Sequence, residues 1–140
     1  GEVFLQTFNP NNPLLNKIIT QDYNSLFSEA LIARKLPQWP PYSHLALIHA
    51  QATKKNLVFG FLNFLEKQGS AINKGKTIIL GPVSSPIEKR AGNYRGQLLL
   101  LNQNRKELHK FLDKVCLIIA SAKQTRNIRW SIDVDPIDLT

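Results

Sequence analysis

Residues 81–101, GPVSSPIEKRAGNYRGQLLLL, are the stretch whose reading decides the fold. It opens on a Gly-Pro turn and passes through a Pro/Ser-rich connector. Lys89, Arg90 and Arg95 then gather around Gly92 and Tyr94, and four consecutive leucines close it at 98–101. Such a leucine run predicts a buried strand, and the glycine-punctuated basic segment before it predicts a charged loop at that strand's edge. The connector at 81–93 is thus expected to be a loop, and the strand to occupy 94–103.

Moving outward, Thr77 to Leu80 reads as a second strand. Before it, Leu57, Val58, Phe61, Leu62 and Leu65 repeat on one face of a helix at 54–68, with Gly69 as its C-terminal stop. SHLALIHAQA, residues 43–52, is the first strand of this domain. On the other side, Asn104 is placed to cap a helix from 105 to about 121. Leu108, Phe111, Leu112, Val115 and Ile118 repeat along it at helical spacing. The last strand, 126–135, alternates Ile128, Trp130, Ile132 and Val134 against Asn127, Arg129, Ser131 and Asp133. The order strand–helix–strand–strand–helix–strand predicts an α+β fold. It is a split βαβ, ferredoxin-like sandwich: a four-stranded antiparallel sheet with two helices on one face.

Residues 1–40 read as a separate unit. EVFLQTF at 2–8 alternates like a short strand, and Pro13 suits the first position of a helix bearing Leu14, Leu15, Ile18 and Ile19. Asp22 is an N-cap candidate for a helix over 23–35. Pro37, Pro40 and Pro41 end the helices and mark a boundary near residue 40, with the second domain at 41–140. Trp39 in this linker is expected to pack onto the core rather than stack on a base.

The 140 residues suit one domain with an appendage, and a hydrophobic content of 43% suffices for a core. No run approaches the ~20 apolar residues of a membrane helix, and residues 1–20 lack a signal-peptide pattern. A single cysteine, Cys116, excludes an internal disulfide and a multi-cysteine zinc site, and fits a cytoplasmic setting. The absence of methionine and the initial glycine point to a fragment.

The net charge of +8 is one-sided: twelve Lys/Arg stand against three acids between Lys74 and Arg129. That imbalance suggests a polyanionic partner, nucleic acid first. Lys74, Lys76, Lys89, Arg90, Arg95 and Arg129 are the candidate phosphate contacts, with Tyr94 as a stacking candidate. The alternative for Tyr94 and Arg95 is that Tyr94 faces the core and Arg95 pairs with Glu88 or Asp133. Leu99 and Leu101 are apolar candidates for exposure on the sheet.

Catalysis finds no support. No Gly-rich loop ends in Gly-Lys-Ser/Thr. Cys116 reads as a filler thiol in an apolar helix face, and His44, His49 and His109 lack metal-ligand spacing. Asp133 and Asp135 share a face, but an Asp-Pro turn accounts for them better than a cation site. No catalytic residue and no metal ligand is expected.

The run GP-x-x-x-P-x-x-x-R-x-G-x-YR-x-QLLL, the ending WSIDVDP (130–136) and the opening GEVFLQTFNPNNP together resemble the PriA family of bacterial primosomal replication-restart helicases. The resemblance covers nearly the whole chain. It implies that residues 1–40 are the tail of the second helicase lobe and that 41–140 are a C-terminal domain similar to ribosomal protein S10. It implies DNA partners, both forks and single strands, together with primosome proteins, the upstream helicase lobes and single-stranded DNA-binding protein. The acidic tail of that last partner would meet Asn93 and Gln97; Asn93 departs from the family's usual basic residue, whereas Gln97 keeps its residue. ATP, magnesium and zinc belong to family segments outside this sequence, so the fragment itself is expected to have no cofactor and no enzymatic activity.

Overall fold

The computed structural model describes residues 1–122 and 127–137 and divides into two compact units, Gly1–Gln38 and Trp39–Thr140. In the first unit, α1 (Pro13–Ile19) and α2 (Tyr23–Lys35) are joined by a tight turn in which Gln21 takes a positive φ. Pro13 opens α1, where its missing N–H costs nothing, and Asn12 Oδ1 accepts from Leu14 N at 3.0 Å. Asp22 caps α2 by accepting from Ser25 N at 3.2 Å. An ion pair of Lys17 with Glu29 links the two helices.

The alternating segment at 2–8 does not form a strand. A strand exists only where a second one accepts its ladder. Here Val3 and Phe4 are about nine-tenths exposed and the segment has no partner among the described residues.

In the second unit, β1 (His44–Ala52), α3 (Lys55–Ile72), β2 (Ile78–Arg90), β3 (Asn93–Asn102), α4 (Arg105–Ser121) and β4 (Arg129–Val134) follow in order. The strands form one antiparallel sheet in the order β2-β3-β1-β4. This is the expected ferredoxin-like α+β arrangement, with β1 and β3 central. Ala46, Ile48, Ala50 and Ala52 of β1 and Leu98 and Leu100 of β3 face the helices. Val58, Phe61, Leu62 and Leu65 of α3 and Leu108, Phe111, Leu112, Val115 and Ile119 of α4 meet them in one buried cluster. Alanines on β1 let two helices approach the sheet centre, and the large side chains on the helices fill the layer.

Three expectations are corrected here. The connector 81–93 is not a loop: most of it belongs to β2, which runs 13 residues and pairs with β3 through two register irregularities, between Leu80 and Val83 and between Ser84 and Lys89. Pro82 and Pro86 are tolerated because both fall within these irregularities of an edge strand, outside the residues that pair with β3. Gly69 does not stop α3. It is buried inside the helix, where a Cβ would touch Ile79 and Phe111 at 3.3 and 3.4 Å, so its role is close packing. Cys116 is exposed rather than buried filler, because α4 turns it away from the Leu108–Val115 side that meets the sheet.

β4 keeps the predicted alternation: Trp130, Ile132 and Val134 pair with Ala50, Ile48 and Ala46 on the helix side. Arg126, its expected first residue, lies outside the described residues. Trp39 is half-buried and belongs to the second unit.

Candidate nucleic-acid interface

Strand alternation fixes what the sheet shows on the face turned from the helices. The cross-strand register builds it row by row. Gln51 of β1 stands between Arg95 of β3 and Arg129 of β4; His49 stands between Gln97 and Ser131; Leu47 stands between Leu99 and Asp133. At strand spacings near 4.8 Å, Arg95 and Arg129 are separated by roughly 10 Å at the backbone. The face is therefore graded. Its hairpin end is polar and cationic, and its far end is apolar.

The apolar end is closed. Leu45, Leu47 and Leu101 are at most 4% exposed although they point away from the helices, and Leu99 is half-buried. The expectation that Leu101 is an exposed apolar contact is thus wrong: β1 and β3, as the central pair, are covered on both faces at that end.

At the polar end a concavity of roughly 380 Å³ is lined by His49, Gln51, Ser85, Arg95, Arg129 and Ser131. A neighbouring hollow shares Gln51 and Arg129 and adds Thr53 and Asn93. Among the described residues, neither arginine has a carboxylate within ion-pair distance. Glu88, the partner weighed for Arg95, is engaged by Lys55. Burial and the adjacent Arg95 hold the His49 imidazole below its ordinary value, against a smaller opposing pull from Asp133. At neutral pH His49 is neutral, and the positive charge of the site resides on the arginines. Ser85 is 3% exposed and its Oγ has no protein hydrogen-bond partner, although it lines the concavity.

The expected site residues do not all converge. Arg90 pairs with Asn93 at the hairpin end, in phase with Arg95, while Lys89 pairs with Tyr94 in the opposite phase. Tyr94 packs against the core cluster, and Lys89 Nζ sits 4.9 Å from its ring centroid. This is the core-facing alternative for Tyr94: its ring is on the helix side and does not share a surface with Arg95. Gln97 lies on the open face, 9% exposed. Lys74 and Lys76 precede the first residue of β2, at the other end of the strand from Lys89 and Arg90.

Sequence reading missed His49, Gln51, Ser85 and Ser131 as parts of one site. The period-2 alternation of His49 and Gln51 with Ala50 and Ala52 was available for two of them. Ser85 was not legible, because the irregularities in β2 determine which way it points.

The described residues contain no group of three or more His, Cys, Asp or Glu able to hold a metal ion. No described helix is long and apolar enough to cross a membrane.

Comparison with known proteins decides the family. Residues 35–137 match the family model described as the primosomal protein N C-terminal domain. The chain belongs to this PriA C-terminal domain family. Along its whole length it is 36% identical to the replication restart protein PriA of Haemophilus influenzae, and over 99% of its length it is 28% identical to that of Synechocystis. The chain spans only 19% and 16% of these two relatives. Among solved structures, the de novo designed protein Foldit4 covers 69% of the chain at a TM-score of 0.52 and 8% identity, a likeness of fold alone. In the PriA C-terminal domain described here, the Arg95–Gln51–Arg129 row places a half-buried and an exposed arginine on one sheet face, neither with a carboxylate within ion-pair distance among the described residues.

Proposed function

We propose that this chain is the DNA-contacting C-terminal part of a replication-restart helicase, and that its open sheet face grips phosphates of branched and single-stranded DNA. The observation that carries this reading is the Arg95–Gln51–Arg129 row. Two guanidiniums without carboxylate partners flank a polar donor, and guanidinium can bind phosphate bidentately. Arg90 extends the row toward the hairpin tip. With Tyr94 turned to the core, the face has no aromatic stack at its centre. The contacts are therefore to the backbone and carry no base preference.

Residues 1–40 are read as the end of the second helicase lobe, and the domain docks on the upstream lobes. ATP, magnesium and zinc act in the remaining length of the protein, which works in the cytoplasm, and this chain performs no catalysis.

The test is fluorescence anisotropy of labelled fork and single-stranded DNA against the chain at two salt concentrations. Wild type should bind more tightly at low salt, and Arg90→Gln/Arg95→Gln/Arg129→Gln should lose at least about tenfold, since each lost phosphate contact also flattens the salt dependence. No binding at low salt would sink the reading.

A second reading rests on Asn93 and Gln97, which share the face and the register of Arg95. The same cations would receive the acidic tail of single-stranded DNA-binding protein. A tail peptide that saturates the chain and displaces DNA favours a shared surface.

A further inference from the structure

Lys74 and Lys76 do not belong to the open face, and their surroundings form a second cationic feature. The turn that carries them is pinned. Asn73 spans it with both ends of its amide: Nδ2 donates to Thr77 O, and Oδ1 accepts from Thr77 N at 3.1 Å. Gly75, at φ +78°, supplies the left-handed residue that the turn needs. Thr77 is 5% exposed, and its Oγ1 accepts from Asn102 Nδ2 at 3.0 Å. Asn102 Oδ1 in turn accepts at 2.8 Å from the backbone of Asn104, the residue that caps α4. A continuous hydrogen-bond chain thus fixes the two turn lysines relative to the first turns of α4.

Between these elements runs a groove of roughly 340 Å³, with Lys74 and Lys76 on one wall and Lys110 and Lys114 on the other. The helix lysines are four residues apart, so they stand about 6 Å apart along the axis on one face. Glu107 bridges the walls, 3.5 Å from Lys76 Nζ and 3.1 Å from Lys110 Nζ. It holds two ammonium groups side by side without neutralising the set, because only Asp113 adds a second carboxylate to the lining. Lys76 and Lys110 remain 66% and 71% exposed.

The occupant follows from what the groove lacks. Its apolar floor, Ile72 and Phe111, is already used by the core; Phe111 is 7% exposed. No ring face is presented for a base to stack on, which argues against a single strand. Fixed point charges along an open groove suit the phosphate backbone of a duplex.

We infer that the Lys74/Lys76/Lys110/Lys114 groove is a second DNA contact, specific for duplex backbone and separate from the open sheet face, so that a branched molecule is held at two places. The inference rests on the DNA-binding reading above but uses none of its residues.

The experiment measures anisotropy of a labelled duplex of roughly two helical turns, about 20 bp, and of a single strand, across a salt series. The proteins are the full chain and its K74Q/K76Q, K110Q/K114Q, R95Q/R129Q and K54Q/K67Q variants, each checked for an unchanged melting temperature. K54Q/K67Q removes the same charge from exposed positions outside the groove. The inference predicts that each groove variant weakens duplex binding several-fold and lowers the salt slope by about 2, one phosphate per lysine. Single-strand binding and the K54Q/K67Q control should stay near wild type. If the groove variants bind duplex as wild type does while R95Q/R129Q loses binding, the groove is overturned and the open face stands. Loss in the groove variants alone keeps the groove and overturns the open face. Equal weakening in K54Q/K67Q reduces the groove to diffuse charge and overturns it. Wild type that binds neither DNA at low salt overturns both readings.

Discussion

A Cβ placed on Gly96 would stand 2.9 Å from Val58 Cγ1, and equally close to Leu62 Cδ1. Helix α3 therefore lies directly on the backbone of β3, and the absence of a side chain at 96 sets the helix–sheet spacing. Both neighbours are fully buried, so neither has room to yield. Gly96→Ala should destabilise the domain by roughly 1–3 kcal/mol, the usual cost of overpacking a filled core. A lowered urea midpoint with an unchanged m-value would register it; a wild-type midpoint would show that α3 can shift outward.

The β2–β3 hairpin turns through Ala91 and Gly92, at φ +48° and +80°. Positive φ at both central residues is the pattern of the two-residue turn whose twist matches the flanking strands. Glycine takes this conformation freely, whereas alanine at 91 carries a steric penalty of about 1 kcal/mol. Ala91→Asn should therefore raise stability by roughly 0.5–1 kcal/mol, and Gly92→Ala should lower it by about 1 kcal/mol. Thermal melts of the two variants should move in opposite directions. Arg90, paired with Asn93 across this turn, should hold its position better in Ala91→Asn.

His49 gives the domain an acid-side sensitivity. Its folded-state value is lowered by burial and by Arg95, so the unfolded chain takes up its proton first as pH falls. Stability from this group is fully present above the ordinary value of 6.5 and is lost as pH falls through the lowered folded value. His49→Gln keeps a polar side chain between Gln97 and Ser131 and removes that proton. The variant should lose less stability than wild type between pH 7 and pH 5, measured by denaturant midpoints at each pH. Parallel pH curves would mean that other groups set the acid limb.

Much of this domain was legible because the two periodicities of the chain are cleanly written. The α3 and α4 stripes point at a single sheet face, and β4 alternates residue by residue. Asn104, Asp22 and Pro13 each stand where a helix start needs them. The reading went astray where tertiary pairing overrode local chemistry. GPVSSPIEK has the composition of a loop, yet an edge strand with two irregularities tolerates it. Gly69 resembles a stop, yet contact with Ile79 and Phe111 requires a small residue there. Tyr94 sits among cations in sequence, but strand phase sends its ring to the core and Arg95 to the other face. The division of the cations between the two ends of β2 could not be read at all, because it depends on that segment being extended.

The turn at 73–77 supplies the last test. Asn73 replaces two backbone hydrogen bonds that a five-residue turn around Gly75 cannot make for itself, serving the amide and the carbonyl of Thr77. Each such bond is worth about 1 kcal/mol net, and a buried partner left unsatisfied costs more. Asn73→Ala should therefore destabilise by roughly 2 kcal/mol. Asn73→Asp retains the acceptor for Thr77 N, loses only the donor to Thr77 O and adds a carboxylate beside Lys74, so its loss should be smaller. Urea titration separates the three proteins in the order wild type, Asp, Ala. If the alanine variant matches wild type, the turn is held by Asn102 and Thr77 without Asn73. The order Asp below Ala would show that the carbonyl of Thr77 dominates, since the carboxylate then repels the oxygen that the amide had served.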